Sequence, residues 1–393
     1  LFLGVPYTKV MLAAAIPAFL YYLTLLMAVH FEARKLGLKG LSPEHIPAAG
    51  KVLRERGHLF IPLIVLLWLM FDGYTPLFAA AASIFATVGA TWLPSLIGLL
   101  RTKTARTFAF VLLLAVLGGL ALSGLLSLGA AILTALCVLA SAWCSARYRM
   151  TPRVVVQALD EGARGAVGVG AACVIIGIII GTVSLTGLGL TFGYEVLKYV
   201  GEGQLYLGGL FVMIMSTILG MGVPTAPAYI IVATLGAPAL MKAGVPIIAA
   251  HMFVYFYAIL SVITPPVCLA AFAGAAIAET NAMKTGVTAM KLGIVAFIIP
   301  FMFVFEPALL MQGSTTEIAT AFASALIGVI GIASGMQNWL LVRCRLWERA
   351  LLLASGLMLI FPGLITDTIG LSSLLIVLFA QRLRKGGSPI AAA

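Results

Sequence analysis

Two glycine- and proline-rich breaks inside apolar sequence carry the residues best suited to chemistry. The first is Gly220-Met221-Gly222-Val223-Pro224-Thr225, and the second is Ile263-Thr264-Pro265-Pro266. Proline removes a backbone donor and clashes with the preceding turn, while glycine adds backbone freedom, so a helix ends at each break. The carbonyls at the end of one half-helix suit a cation, and the amides at the start of the next suit an anion.

We therefore predict a binding site for a cation and an anionic substrate at the two breaks. Hard cations prefer oxygen ligands, which carbonyls near Gly220 and Ile263 and neighbouring threonine hydroxyls provide. A substrate carboxylate would meet the amides near Thr225 and Val267. The predicted binding residues are Thr217, Gly220, Gly222, Pro224, Thr225, Ile263, Thr264, Pro265 and Pro266. The alternatives are simple helix kinks and hydroxyls that bond only to their own helix.

The elements that hold these breaks are predicted to be membrane helices. Of the 393 residues, 62% are hydrophobic and only 9% are charged, which indicates an all-α polytopic membrane protein. Lipid cannot satisfy backbone groups freed by a break, so each break must be buried in protein or line a watery cavity. A re-entrant hairpin over 205–240 and a discontinuous helix over 246–278 would together build the kind of midplane site that secondary transporters use.

His251 is a further candidate because it lies well inside an apolar span. Histidine titrates near neutral pH, so its imidazole would suit proton coupling. A charge buried in a membrane span costs about 2.5–3.5 kcal/mol or more, however. A neutral, hydrogen-bonded packing histidine is therefore the alternative interpretation.

Charge and motif content exclude several other classes. The net charge of +11 is spread over short loops, which indicates membrane orientation with a cytoplasmic C-terminus and argues against a nucleic-acid partner. The five cysteines lack the spacing of a zinc site or a disulfide framework. The sequence contains no HExxH, GxSxG or P-loop motif, so neither an enzyme nor a bound cofactor is expected.

The chain is predicted to divide into four parts. Residues 1–106 form scaffold helices, 107–146 a two-helix insertion, 147–292 the repeat with the hairpin and the discontinuous helix, and 293–393 the C-terminal membrane helices. Thr151 and Pro152 have the residue types of a helix cap and a first helical residue. Lys284 and Lys291 are predicted to mark an inner loop before a span that begins at Gly293.

The sequence around the breaks resembles one transporter family. The motifs are Leu219-Gly220-Met221-Gly222-Val223-Pro224-Thr225, Ala250-His251-Met252-Phe253, Thr264-Pro265-Pro266-Val267 and Pro300-Phe301-Met302-Phe303. They resemble the fused large membrane subunit of TRAP transporters (tripartite ATP-independent periplasmic, DctM-like permeases). More narrowly, they resemble the branch that works with TAXI-type binding proteins.

This resemblance implies an elevator-type fold built from two inverted repeats. The second repeat is present and the hairpin of the first is not visible, so the chain is expected to be the C-terminal portion of a larger permease. The resemblance also implies symport of organic acids such as dicarboxylates with Na⁺ or H⁺ in the bacterial inner membrane. The Na⁺ would lie at Gly220, Gly222, Thr225 and Thr264.

The implied partners are a periplasmic TAXI-type substrate-binding protein and either a small membrane subunit or the missing N-terminal portion. Two other functions stay open from the sequence. One is an elevator-type anion transporter or exchanger that needs no binding protein. The other is a non-transporting membrane scaffold or pseudo-subunit, in which bulky replacements at Gly220, Pro224 and Thr264 would be tolerated.

Overall fold

The computed structural model describes residues 4–38, 40, 42, 46–99, 151–187, 191, 195, 205–360 and 363–386. Within these ranges the regular elements are helices, apart from an isolated bridge between Trp339 and Arg343. The all-α class predicted from composition is therefore confirmed. The two-helix insertion predicted at 107–146 lies outside the described residues. The helix that follows it in the chain begins at Pro152.

The helices are numbered here in chain order. They are α1 (Tyr7–Lys35), α2 (Ala49–Arg56), α3 (Ile61–Phe71), α4 (Pro76–Leu99), α5 (Pro152–Thr186), α6 (Leu205–Gly220), α7 (Thr225–Lys242), α8 (Ile247–Leu260), α9 (Leu269–Ile277), α10 (Ala282–Gly293), α11 (Ile299–Phe305), α12 (Thr315–Gln337), α13 (Leu346–Ile360) and α14 (Leu364–Gly386). Short 3₁₀ turns lie at Gly57–Phe60, Ser261–Ile263, Ile294–Phe297 and Pro307–Leu310.

Several of these helices are suited to a membrane. Among the described residues, five are long and apolar enough to cross one: Tyr7–Lys35, Pro152–Val183, Ala282–Phe305, Thr315–Gln337 and Ile365–Lys385. Shorter apolar helices include Leu205–Gly220 and Ile247–Ile263. These lengths agree with a multi-pass membrane protein, because about 20 apolar residues span the hydrocarbon core.

The described residues form two compact units. The first comprises the described residues within Leu1–Gly4, Val10–Lys39 and Val167–Ala393, and the second those within Val5–Lys9 and Gly40–Ala166. In the second unit, α3 and α4 form a hairpin that is held by a hydrogen bond from Ser83 Oγ to the Pro62 carbonyl (2.8 Å). The reversal follows Asp72, at Gly73 with a φ of +93°, where the sequence predicted a turn.

In the first unit, one apolar core joins α1, α6, α8, α11 and α12. Each contributes a fully buried side chain: Leu20, Val212, Phe253, Met302 and Val329. Gly236 of α7 allows close packing there, since a Cβ atom at this position would lie 2.9 Å from Val254 Cγ1. The core therefore fixes α6, α7 and α8, the helices on which the predicted site depends.

Two predicted helix starts had different outcomes. Thr151 and Pro152 do begin α5, and the Val154 amide donates to Thr151 Oγ1 (3.4 Å). The loop predicted at Lys284 and Lys291 is instead helical, because both residues lie within α10. Asn281 begins that helix by accepting a hydrogen bond from the Lys284 amide (2.9 Å), which is an N-cap signal that the charge pattern concealed.

Candidate ion and substrate site

The first break is a tight reversal between α6 and α7. Helix α6 ends at Gly220 and α7 begins at Thr225, as glycine and proline predicted. Gly222 has a φ of +75°, a left-handed conformation that glycine adopts without steric cost. Pro224 lies just before α7 in an extended conformation and has no N–H to donate. For this reason α6 cannot continue through Pro224, and α7 cannot begin before it.

The second break interrupts the helical path between α8 and α9. Helix α8 passes into a 3₁₀ turn at Ser261–Ile263, and Thr264 is extended, with φ −101° and ψ 121°. Pro265 and Pro266 are joined by a cis peptide bond. Helix α9 begins only at Leu269, slightly later than the start predicted near Val267.

The fold brings the two breaks into contact. A Cβ atom at Gly220 would lie 2.8 Å from Ser261 Oγ and 3.2 Å from Ala258 Cα. A Cβ atom at Gly222 would lie 3.3 Å from Val267 Cγ1. The end of α6 and the end of α8 therefore lie directly against each other at Gly220 and Ala258.

The hydroxyls near this contact are mostly bonded to their own helices. Thr217 Oγ1 donates to the Met213 carbonyl, and Thr264 Oγ1 donates to the Leu260 carbonyl, each at 2.8 Å. Donation uses the hydroxyl hydrogen but leaves the oxygen lone pairs free. Both threonines can thus keep their helical hydrogen bonds and still offer an oxygen to a cation.

Ser216 is a residue that the sequence prediction missed. It is fully buried (0% exposed), and its Oγ has no hydrogen-bond partner among the described residues. It lies one helical turn before Gly220, on the buried stripe of α6 that also contains Val212. A buried hydroxyl without a partner costs about 1–3 kcal/mol, so this oxygen is available for a ligand. The only sequence signal was its position in the Ser216-Thr217 pair just before the break.

His251 is buried but does not lie at the break. It is 6% exposed, and its Nδ1 is 2.9 Å from the hydroxyl of Tyr229 on α7. By helical rise it lies about 13 Å along α8 from Leu260, where the break begins. His251 therefore lies away from the second break but beside Tyr229, which is one helical turn after Thr225.

The remaining predicted residues differ in exposure. Gly222, Pro224 and Thr225 are exposed at the tip of the reversal, as is Pro266 in the second break. Ile263 and Pro265 are half-buried. The tip therefore offers the amides at the start of α7 on an accessible surface.

A cavity of about 610 Å³ adjoins both breaks within the first unit. Thr217 and Thr264 contribute to its wall, together with residues of α10, α11 and α13. The other lining residues are Tyr206, Met213, Ile214, Ile218, Met290, Ile294, Phe297, Ile298, Phe301, Leu357 and Ile360. The wall thus has no ionisable group except the Tyr206 phenol, and it suits the carbon skeleton of a ligand.

Comparison with known proteins gives two family matches. The model of the family described as "Tripartite ATP-independent periplasmic transporter, DctM component" matches residues 1–104 and 93–318. A model described as "Domain of unknown function (DUF3394)" matches residues 318–373. No curated protein and no solved structure matches the chain.

Proposed function

Because the chain belongs to the family of DctM components of tripartite ATP-independent periplasmic transporters, we propose that it imports organic acids by secondary active transport coupled to Na⁺. Family membership makes the chain a permease component and implies a periplasmic binding protein as its partner. The coupling ion, the substrate class and the TAXI type of that partner are parts of the proposal. The observation that carries it is the contact between the two helix breaks at Gly220 and Ser261.

The proposed Na⁺ position lies where the carbonyl ends of α6 and α8 converge. Gly220 and Gly222 would supply carbonyl oxygens, and Thr225 and Thr264 would supply hydroxyl oxygens, as expected for a hard cation. The unpartnered hydroxyl of Ser216 adds an oxygen one turn away. Helix ends also favour a cation here, because the dipole of a helix is negative at its C-terminus.

Na⁺ is preferred to H⁺ for a structural reason. The one histidine considered for proton coupling, His251, lies about 13 Å along α8 from Leu260, with its Nδ1 2.9 Å from the Tyr229 hydroxyl. Oxygen ligands at the break, by contrast, need no titratable group to bind Na⁺.

The substrate would be held by both halves of the site. Its carboxylate would meet the exposed amides at the start of α7, near Thr225. Its carbon skeleton would occupy the apolar cavity beside Thr217 and Thr264. For a dicarboxylate, the class expected from the family resemblance, the second carboxylate would also have to be met by backbone amides, since the cavity wall offers no cationic side chain.

The proposed mechanism is an elevator movement in which the repeat with the two breaks carries substrate and Na⁺ across the membrane together. In this arrangement, the C-terminus is cytoplasmic and the binding protein delivers substrate from the periplasm. A small membrane subunit or an N-terminal portion would complete the scaffold. These features rest on the helix breaks and on the family, which both favour a discontinuous-helix transporter.

Dependence on the binding protein provides the first test. Uptake of labelled organic acids would be measured in spheroplasts that express the transporter, with the periplasmic extract removed and then restored. We expect uptake to fall on removal and to recover on restoration. Uptake that persists without the extract would instead identify a transporter or exchanger that works alone.

A further inference from the structure

A strongly basic surface lies at one end of the C-terminal helices, apart from the helix breaks. It consists of the exposed side chains of Arg343, Arg345, Arg382 and Lys385. The first two belong to the loop between α12 and α13, and the other two belong to the end of α14. We call this group the basic end. It lies beside the segment matched by the domain of unknown function and overlaps it in the loop.

A buried glutamine holds the loop of the basic end in place. Gln381 of α14 is fully buried, and its Oε1 accepts hydrogen bonds from the amides of Leu341 (3.0 Å) and Val342 (3.2 Å). Its Nε2 donates to Glu348 Oε2 (2.9 Å). The loop is therefore fixed to α14 from inside, and its shape does not depend on the exposed arginines.

Glu348, the acidic residue bonded to Gln381, is already paired with Arg384. Glu348 is 1% exposed, and its Oε2 accepts hydrogen bonds from the Arg345 amide (2.8 Å) and from Arg384 Nη2 (3.1 Å). Arg384 also donates to the Arg343 carbonyl (2.8 Å). Glu348 thus neutralises Arg384, and the ion pairs found among the described residues include none with the four side chains of the basic end.

Exposed apolar side chains adjoin these four cations. Leu346 is 87% exposed and Trp347 is 44% exposed at the start of α13, directly after Arg345. Phe379 and Leu383 are also exposed on the last turns of α14. Basic residues beside tryptophan and aliphatic residues at the end of membrane helices are typical of the boundary between lipid headgroups and acyl chains.

We propose that the basic end binds an anionic phospholipid. The guanidinium groups of Arg343 and Arg345 can each bind a phosphate through two N–H groups. Leu346, Trp347 and the apolar side of α14 would contact the acyl chains. Because the loop is folded by buried groups, the arginines are presented without the cost of ordering their backbone. The site gives the C-terminal segment a role in anchoring the transporter to acidic lipid, independent of the proposed transport site.

The test is native mass spectrometry of the full chain with phosphatidylglycerol and with phosphatidylcholine. We expect phosphatidylglycerol to bind at least about tenfold more tightly, as several basic residues at a membrane surface would produce. The R343A/R345A/R382A/K385A variant should lose this preference. Its folding is expected to be unaffected because the hydrogen bonds of the loop use backbone atoms, Gln381, Glu348 and Arg384.

The matched control removes four exposed basic residues elsewhere: R153A/R164A/K284A/K291A. This variant should keep the preference for phosphatidylglycerol. Equal binding of both lipids to the unaltered chain would overturn the proposal, and that comparison requires no variant. Retention of the preference in the first variant, or equal loss in the control, would overturn it as well.

Discussion

Gly220 lies directly against Ser261, so that a Cβ atom on Gly220 would be 2.8 Å from Ser261 Oγ. The two residues belong to different breaks and are brought together by the shared core of α6 and α8. This contact places the C-terminal ends of two apolar helices side by side. The proposed Na⁺ position depends on it.

Gly220→Ala should therefore separate the two breaks. Rotation of the Ser261 side chain could relieve one clash, but the 3.2 Å approach to Ala258 Cα involves the backbone. We expect a loss of about 1–3 kcal/mol of stability and at least a tenfold loss of Na⁺-driven uptake. Uptake into proteoliposomes and the thermal unfolding temperature would be measured together.

Gly274→Ala is the matched control, since a Cβ atom on this helical glycine would meet nothing within 4 Å. This control should transport like the unaltered protein. Unchanged uptake in the Gly220→Ala variant would contradict the role assigned to the contact.

Ser216→Ala tests the unpartnered hydroxyl. Removing a buried hydroxyl that has no partner should leave stability unchanged or slightly raised without Na⁺. If the oxygen binds Na⁺, the Na⁺ concentration for half-maximal uptake should rise about tenfold, which corresponds to about 1.4 kcal/mol. Ser334→Ala is the control, because Ser334 is equally buried but bonds to the Ile330 carbonyl (2.7 Å). An unaltered Na⁺ dependence in Ser216→Ala would remove Ser216 from the site.

The helix ends at the site could be predicted because their causes are local. Glycine at Gly220 and proline at Pro224 end α6 and delay α7 whatever surrounds them. The contact with Ser261 could not be predicted, because it depends on how α6 and α8 pack. The unpartnered state of Ser216 depends on the same packing. The start of α10 was missed because Lys284 and Lys291 were interpreted as a loop and Asn281 was not considered as a cap.

Met290→Trp should reveal what the cavity accommodates. Met290 contributes to the cavity wall, and a larger side chain there would fill part of the 610 Å³. We expect uptake of long-chain organic acids to fall more than uptake of short ones, measured as competition against one labelled substrate. Met283 on the same helix is exposed and absent from the cavity wall. Met283→Trp should therefore change neither the uptake of long-chain acids nor that of short ones. An equal effect of both variants on all acids would show that the cavity does not hold the substrate.

Glu348→Ala should strongly destabilise the C-terminal helices. The change removes the acceptor for Arg384 and leaves its charge partly buried, together with the Gln381 amide that donates to Glu348. Breaking such a pair costs about 3–5 kcal/mol, which would appear as a lower thermal unfolding temperature. Glu161→Ala, at an exposed glutamate on α5, should have little effect. A similar unfolding temperature for the two variants would contradict the structural role of Glu348.

The most direct test of the transport proposal is substrate accumulation in proteoliposomes that contain the full chain and its binding protein. An inward Na⁺ gradient would be compared with an equal choline gradient, and the pH would be the same on both sides. Accumulation that follows the Na⁺ gradient alone is the result we predict. Equal accumulation with choline would contradict coupling to Na⁺ at the joined helix breaks.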